Sequence, residues 1–272
     1  SVVESFIMNI VFIGAGNMAE AIVAGIIRQN VVEPAEVCVT DINEGRLDYF
    51  TETYGVGRST DNAAAVAEAD VVVLSVKPQI FPDVWPGIEG ALKPDALVVS
   101  IMAGIPSAGI ANGKPIRVVR VMPNTPSLVG EGAAGIAAGE FATAADLDIA
   151  QQLLGAVGVA VVVEEKEIDA VTALSGSGPA YVFYLLESML EAADRMGLEK
   201  GISRDLALST VIGAAKLMKE SGEDAAALRA KVTSKGGTTH AAISTMEERG
   251  VKESIIAALQ AAQARSIELA NG

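Results

Sequence analysis

The 272 residues hold one cysteine and one histidine, fewer basic than acidic side chains, and no apolar run of membrane-spanning length. A single thiol excludes an intramolecular disulfide. Cys38 lies in the strand-like run EVCVTD, where it reads as a packed thiol rather than a nucleophile or a ligand. This cysteine usage fits a reducing compartment. The 20 basic and 34 acidic residues give a formal charge of −14, and no Lys/Arg cluster stands out, which argues against nucleic acid as a partner. An anionic ligand would need backbone N–H groups or a helix terminus rather than a general positive field. A bilayer span takes about 20 apolar residues, so no membrane partner is expected. Residues 1–7, SVVESFI, have no basic n-region and too short an apolar run for a signal peptide, and they read as an extension ahead of a native start at Met8. Together these features predict a soluble cytoplasmic protein.

What is present is a repeating order. From Asn9 to about Glu165, short β-branched runs alternate with helical stretches, the pattern of a parallel sheet with crossover helices. Strands are predicted at NIVFIG, EVCVTD, VVVLSV (71–76), ALVVSI (96–101) and IRVVRVM (116–122), with AAGIAA and GVAVVVEE flanking a helix over 144–156. Most are apolar at every position, as a strand covered on both faces should be. Beyond Ile168 no strand pattern is found. Helices are predicted from Pro179 to a stop at Gly197, from a cap at Ser203 to Gly222, and then over 224–231, 238–249 and 252–270. The expected architecture is an α/β Rossmann-like dinucleotide-binding domain over residues 8–165, followed by an all-α domain over 166–272. Runs such as VFYLLESML are apolar on more than one helical face, so oligomerisation through this half would bury what one small bundle cannot.

The first strand runs into GAGNMAEAIVAGI, where Gly14, Gly16 and Ala19 form the GxGxxA version of the dinucleotide fingerprint at a strand-to-helix turn. Gly14 would permit the tight turn, Gly16 the approach of a pyrophosphate, and Ala19 the close packing of helix on strand. Asp41 ends the second strand, somewhat later than the usual spacing of about 20 residues. Its carboxylate would either accept both adenosine ribose hydroxyls, leaning the cofactor toward NADH, or simply cap the helix NEGRLDYFTET. Arg46 is a cation that would offset the acid. Three later strands end in SVKP (75–78), SIMAG (100–104) and RVMPNTP (120–126), all at the carboxyl ends where ligands of such sheets bind. Asn124, held between two prolines, would present its amide to a nicotinamide or substrate edge; each motif alone is equally compatible with ordinary turn chemistry.

GAGNMA, SVKP, MPNTP, LSGSGPAYVF (174–183) and VTSKGGTTHAA (232–242), in this order and at these separations, resemble the pyrroline-5-carboxylate reductase family over nearly the whole chain from Met8. The resemblance implies hydride transfer from NADPH or NADH to the C=N bond of 1-pyrroline-5-carboxylate, giving L-proline. It also implies a homodimer through the helical domain, with assembly to a decamer. Cofactor contacts carry over onto Gly14, Ala15, Gly16, Asn17, Met18, Asn62, Val76, Lys77, Pro78, Ala103 and Gly104. Asp41 departs from the small hydroxyl residue frequent in the family, which weakens the expectation of NADPH.

The implied substrate is a small ring acid whose carboxylate must be held. In SKGGTT the N–H groups of Gly237, Thr238 and Thr239 would converge on an anion at a helix N-terminus, with Gly236 in the turn and Ser234 adding a hydroxyl. The family's hydroxyl contact to the ring nitrogen falls on Thr239. Glu167 matches a position near the substrate, and a helix-terminal acid is an equal account of it. His240 would point about 100° away from Thr239 and is expected to be structural or interfacial. Lys235 stands where the family often has proline.

A related hydroxyacid dehydrogenase would want a lysine early in the helical domain, and none occurs over 174–194. A metal-dependent reductoisomerase would want facing carboxylates; Glu187, Glu191 and Asp194 read instead as a solvated helix side, and no metal is expected. A non-catalytic dinucleotide sensor or a related imine reductase would share the fingerprint, but a sensor has no need of a second anion nest.

Overall fold

A computed structural model describes residues 8–271, so the expectation for residues 1–7 lies outside the described chain. The strands are β1 (Ile10–Ile13), β2 (Val37–Thr40), β3 (Gly57–Ser59), β4 (Val71–Leu74), β5 (Leu97–Ser100), β6 (Arg117–Met122), β7 (Gly132–Ala138) and β8 (Gly158–Val162). The helices between them are α1 (Asn17–Arg28), α2 (Glu44–Tyr54), α3 (Asn62–Ala67), α4 (Phe81–Ile88), α5 (Ser107–Ala111) and α6 (Ala144–Gly155). One sheet results, in the order β3-β2-β1-β4-β5-β6-β7-β8. Every pairing is parallel except β6 with β7. That exception follows from the link: the short turn through Thr125–Val129 cannot carry a crossover, so the chain must return antiparallel.

Alternate residues of the inner strands serve opposite faces, which is why these runs are apolar throughout. Ile10, Phe12, Val71, Val73, Leu97 and Val99 join α1, α2 and α6 in one core. Val11, Ile13, Val72, Leu74 and Val98 join α3, α4 and α5 in the other. Each such side chain contributes roughly 1.5–3 kcal/mol by leaving water. The two layers make the sheet rigid enough to position the loops at its carboxyl edge.

The remaining helices are α7 (Ile168–Val171), α8 (Gly178–Arg195), α9 (Lys200–Ser221), α10 (Ala225–Lys231), α11 (Thr238–Glu248) and α12 (Val251–Asn271). The chain divides into two compact units: one runs through Ser177 and takes in the chain from Ala262 onward, and the other spans Gly178–Ala261. By packing, the first unit runs on through Ser177. Part of the reason is visible at Gly135 on β7, where an added Cβ would lie 2.7 Å from a methyl of Val171, so α7 is seated on the sheet. The end of α12 is tied to α7 by the Ser266 hydroxyl, which donates to Asp169 at 2.6 Å.

Thr172–Gly176 forms a π turn rather than a regular helix. Pro179 has no N–H to give the Ser175 carbonyl four residues before it. Asn124 supplies the missing donor from outside, its Nδ2 donating to that carbonyl at 3.0 Å. The expected cap at Ser203 is corrected. Glu199 caps α9, its carboxylate accepting from the Gly201 and Ile202 N–H groups, while Ser203 sits inside the helix and donates back to the Glu199 carbonyl.

Candidate functional site

The fingerprint turn is held from three strands. Gly14 adopts φ +104°, and an added Cβ would lie 2.9 Å from the Ser75 carbonyl oxygen, so neither backbone nor space admits another residue. Its N–H donates to the Thr40 carbonyl at 2.9 Å, which anchors the turn to β2. Ser75, at the end of β4, donates its hydroxyl to the Ile13 and Gly14 carbonyls at 3.0 and 2.8 Å. Gly16 is different: it is exposed at the head of α1, and an added Cβ would meet nothing within 4 Å. A turn that is clamped at Gly14 and open at Gly16, at the start of a three-turn helix, fits a dinucleotide pyrophosphate.

Asp41 is not the cap of α2. Asn43 takes that place, its side chain accepting the Arg46 N–H. Asp41 instead accepts the Ala15 N–H at 2.9 Å and the Asn43 N–H at 2.9 Å, so its carboxylate stands against the fingerprint turn. Neighbouring it, the Thr40 hydroxyl donates to the Asn62 side-chain carbonyl at 2.6 Å and orients that amide at the start of α3. Arg46 does not point to solvent. Its Nε donates to the Ala15 carbonyl at 2.8 Å, its Nη2 pairs with Glu20, and its guanidinium lies over the Tyr49 and Phe50 rings.

The other carry-over positions follow the strand ends. Asn17 is exposed and Met18 half-buried on the first turn of α1. Val76 and Pro78 are half-buried and Lys77 exposed after β4, while Ala103 is exposed beyond β5. Gly104, at φ +75°, lies beside the Leu269 backbone from the end of α12. Asn124 is corrected. It is buried, and besides its bond to Ser175 its Oδ1 accepts the Ala133 N–H at 2.8 Å, so its amide joins the π turn to β7 rather than facing a ligand.

In the helical unit, Gly236 adopts φ +76° and Gly237 caps α11. The Gly237 N–H, expected among the anion donors, donates instead to the Ser234 carbonyl at 3.0 Å and closes the turn. The first intrahelical bond of α11 runs from Ala241 to the Gly237 carbonyl, which leaves the N–H groups of Thr238, Thr239 and His240 directed out of the helix start. The Ser234 hydroxyl leans over this turn, 2.6 Å from where a Gly237 Cβ would be. Thr239 is half-buried, and His240 is exposed. Glu167 accepts the Glu164 N–H at 2.8 Å in a reciprocal capping box, the helix-terminal role its position allowed. Among the described residues no group of three or more His, Cys, Asp or Glu side chains converges as a metal site.

Ser75, Thr40 and Glu20 escaped the sequence reading as parts of this site. Ser75 lay within a quoted motif, but which backbone it grips depends on the β1–β4 pairing, which no local pattern reveals.

A family model described as pyrroline-5-carboxylate reductase dimerisation matches residues 165–269, and one described as NADP oxidoreductase coenzyme F420-dependent matches residues 9–104. A pyrroline-5-carboxylate reductase of Pseudomonas aeruginosa is 45% identical over 265 residues, covering 96% of this chain and 97% of that protein. Among solved structures, a pyrroline-5-carboxylate reductase from Coxiella burnetii aligns with a TM-score of 0.93 at 41% identity, covering 97% of this chain and 99% of that one. The Plasmodium falciparum pyrroline carboxylate reductase, solved with NADP bound, aligns with a TM-score of 0.86 at 27% identity over 97% and 98% of the two chains. A clamped fingerprint turn on a doubly covered sheet, followed by a helical half that matches this family, leads to one assignment: the chain belongs to the pyrroline-5-carboxylate reductase family.

Proposed function

We propose that this chain reduces 1-pyrroline-5-carboxylate to L-proline, the last step of proline biosynthesis, with NADH as the preferred reductant. The reduced nicotinamide supplies the hydride. The observation that supports the reading is the presence, in one family member, of a fingerprint turn open at Gly16 and a second helix start at Thr238 whose first N–H groups are open to an anion.

The chain's own residues bind and orient. Gly14 to Met18, Asn62, Val76 to Pro78, Ala103 and Gly104 receive the dinucleotide, and Asp41 receives the ribose hydroxyls while repelling a 2′-phosphate. The N–H groups at the start of α11, with the Ser234 hydroxyl and the Gly236–Gly237 turn, hold the ring carboxylate. The Thr239 hydroxyl faces the ring nitrogen, and Glu167 adds negative potential near an iminium. An imine nitrogen is basic enough to arrive protonated, so orientation and fixed dipoles do most of the work. This accounts for a site built of amides and hydroxyls and leaves His240 a structural role.

The chain forms a homodimer through the helical unit, and dimers assemble to a decamer. Support comes from the large apolar side chains left open on α8 and α9, among them Phe183, Tyr184, Leu206 and Ile212. The test is consumption of NADH and NADPH in the presence of 1-pyrroline-5-carboxylate. Turnover with NADH favoured is expected. Folded protein that oxidises neither cofactor would sink the reading.

A further inference from the structure

Glu20 lies on the first turn of α1, immediately beyond the fingerprint, and nothing so far assigns it a role. Its carboxylate is enclosed by three donors. One oxygen accepts the hydroxyls of Tyr49 and Tyr54, each at 2.9 Å, and the other pairs with Arg46 Nη2. The three rings of Tyr49, Phe50 and Tyr54 stand edge-on to one another and wall the cluster. Burial alone would raise the Glu20 carboxyl, but the bonds from Arg46, Tyr49 and Tyr54 outweigh it and hold the carboxyl below its ordinary range. The carboxylate is thus charged at neutral pH and spatially fixed.

The other end of the same guanidinium is on the cofactor turn. Arg46 Nε holds the Ala15 carbonyl, while Asp41 holds the Ala15 N–H. The cation and the Asp41 carboxylate therefore hold the two polar groups of Ala15, near where Rossmann sites that take NADP place an arginine for the 2′-phosphate. Here that cation is cancelled. Asp41, Glu20 and Arg46 together are net negative, against a 2′-phosphate that would bring a further charge of about −1.5 to −2. We propose that Glu20 is a specificity-determining residue: by detaining Arg46 it removes the cation that would otherwise receive a 2′-phosphate, and it acts with Asp41 to favour NADH. The inference rests on the sheet unit binding a nicotinamide dinucleotide.

Glu20→Gln keeps the shape but offers one acceptor oxygen where the carboxylate has two, so it serves either the tyrosine hydroxyls or Arg46, and it removes the charge that holds the guanidinium. The test is calorimetric binding of NAD+ and NADP+ to wild type, Glu20→Gln, Asp41→Ser, the double variant, Arg46→Ala, and Glu20→Gln with Arg46→Ala. Glu20→Gln should tighten NADP+ about five- to tenfold, as expected for one surface charge, with NAD+ little changed, and the gain should shrink at high salt. The double variant should gain more than either single one. In the Arg46→Ala background the Glu20 substitution should gain much less.

An unchanged NADP+ affinity in folded Glu20→Gln overturns the proposal. So does an equal gain with and without Arg46, because Glu20 would then act only as a repelling charge. Wild type that binds NADP+ more tightly than NAD+ would overturn the NADH preference instead, while the Arg46-dependent increment would still decide the role of Glu20. Loss of all binding of both nucleotides by folded wild type would remove the dinucleotide reading and the proposal with it.

Discussion

The sheet unit and the helical unit hide their apolar residues to very different extents. In the sheet unit the inner strands are sealed on both faces by their own crossover helices, and Ile10, Phe12, Val73 and Val99 are wholly buried within one chain. In the helical unit α8 and α9 bury Ala193, Ser203 and Ala207, while Phe183 is 62% exposed, Tyr184 73% and Leu206 58%. A sheet covered on both sides needs no partner, whereas these two long helices keep apolar faces that this chain does not cover. The first unit is packed without help, while the second carries the dimerisation match and keeps faces left to be finished by association.

Charge placed on the open helix faces should break this contrast most severely. Leu206→Glu or Phe183→Glu would lose apolar burial and strand a carboxylate in an interface, which together should weaken self-association by more than about 1,000-fold. Light scattering coupled to size exclusion would read monomer where wild type is oligomeric. Unchanged oligomers would mean that these faces are not the interface.

Next in size is the reaction itself. Thr239→Ala removes a hydroxyl from the nest without touching the fingerprint, and kcat/KM should fall about 100-fold, the scale of losing one donor at a reacting centre. Calorimetric NADH affinity should be unchanged, which separates the two units' tasks.

Asn124 sharpens the comparison from the sheet side. Asn124→Ala leaves the Ser175 carbonyl and the Ala133 N–H without partners, at a cost of about 3 kcal/mol. A lowered denaturation midpoint with normal secondary structure is expected. Asn124→Asp should also destabilise, because a carboxylate can accept from Ala133 but cannot donate to Ser175.

The smallest effect expected is in acid. The Asp70 carboxyl is held below its ordinary 3.8 chiefly by the Asn9 N–H and then by Lys93, and burial opposes them. Glu20 is likewise lowered, from 4.5. A depressed carboxyl stabilises the fold above its unfolded pKa, and that stability is lost as pH falls through the folded value. Chemical denaturation between neutral pH and pH about 3 should therefore show the Asp70→Asn variant flatter than wild type.

Much of this was legible in the sequence where a signal is local. The inner strands β1, β4 and β5 announced themselves because their runs are buried on both faces, and Gly14 and Gly222 because a left-handed backbone demands glycine. β3 was missed, since its three residues, Gly57, Arg58 and Ser59, lie at a largely exposed sheet edge and carry no apolar pattern. Caps are hard to read where two candidates compete. Glu199 displaced Ser203, and of the two readings left open for Asp41 the cap went to Asn43, because the choice depends on which side chain meets the first free N–H. The commitments of Asn124, and of the Gly237 N–H to Ser234, arise from backbone geometry that residue type alone does not encode.

The central claim is that this chain passes a hydride from its bound dinucleotide to the imine carbon of a ring acid. NADH carrying deuterium at both C4 positions, incubated with 1-pyrroline-5-carboxylate and the folded protein, tests it by mass spectrometry of the product. The account predicts proline with one deuterium on its δ-carbon, formed by wild type and strongly reduced with Thr239→Ala. Proline without deuterium, or no proline at all from folded protein, would contradict it.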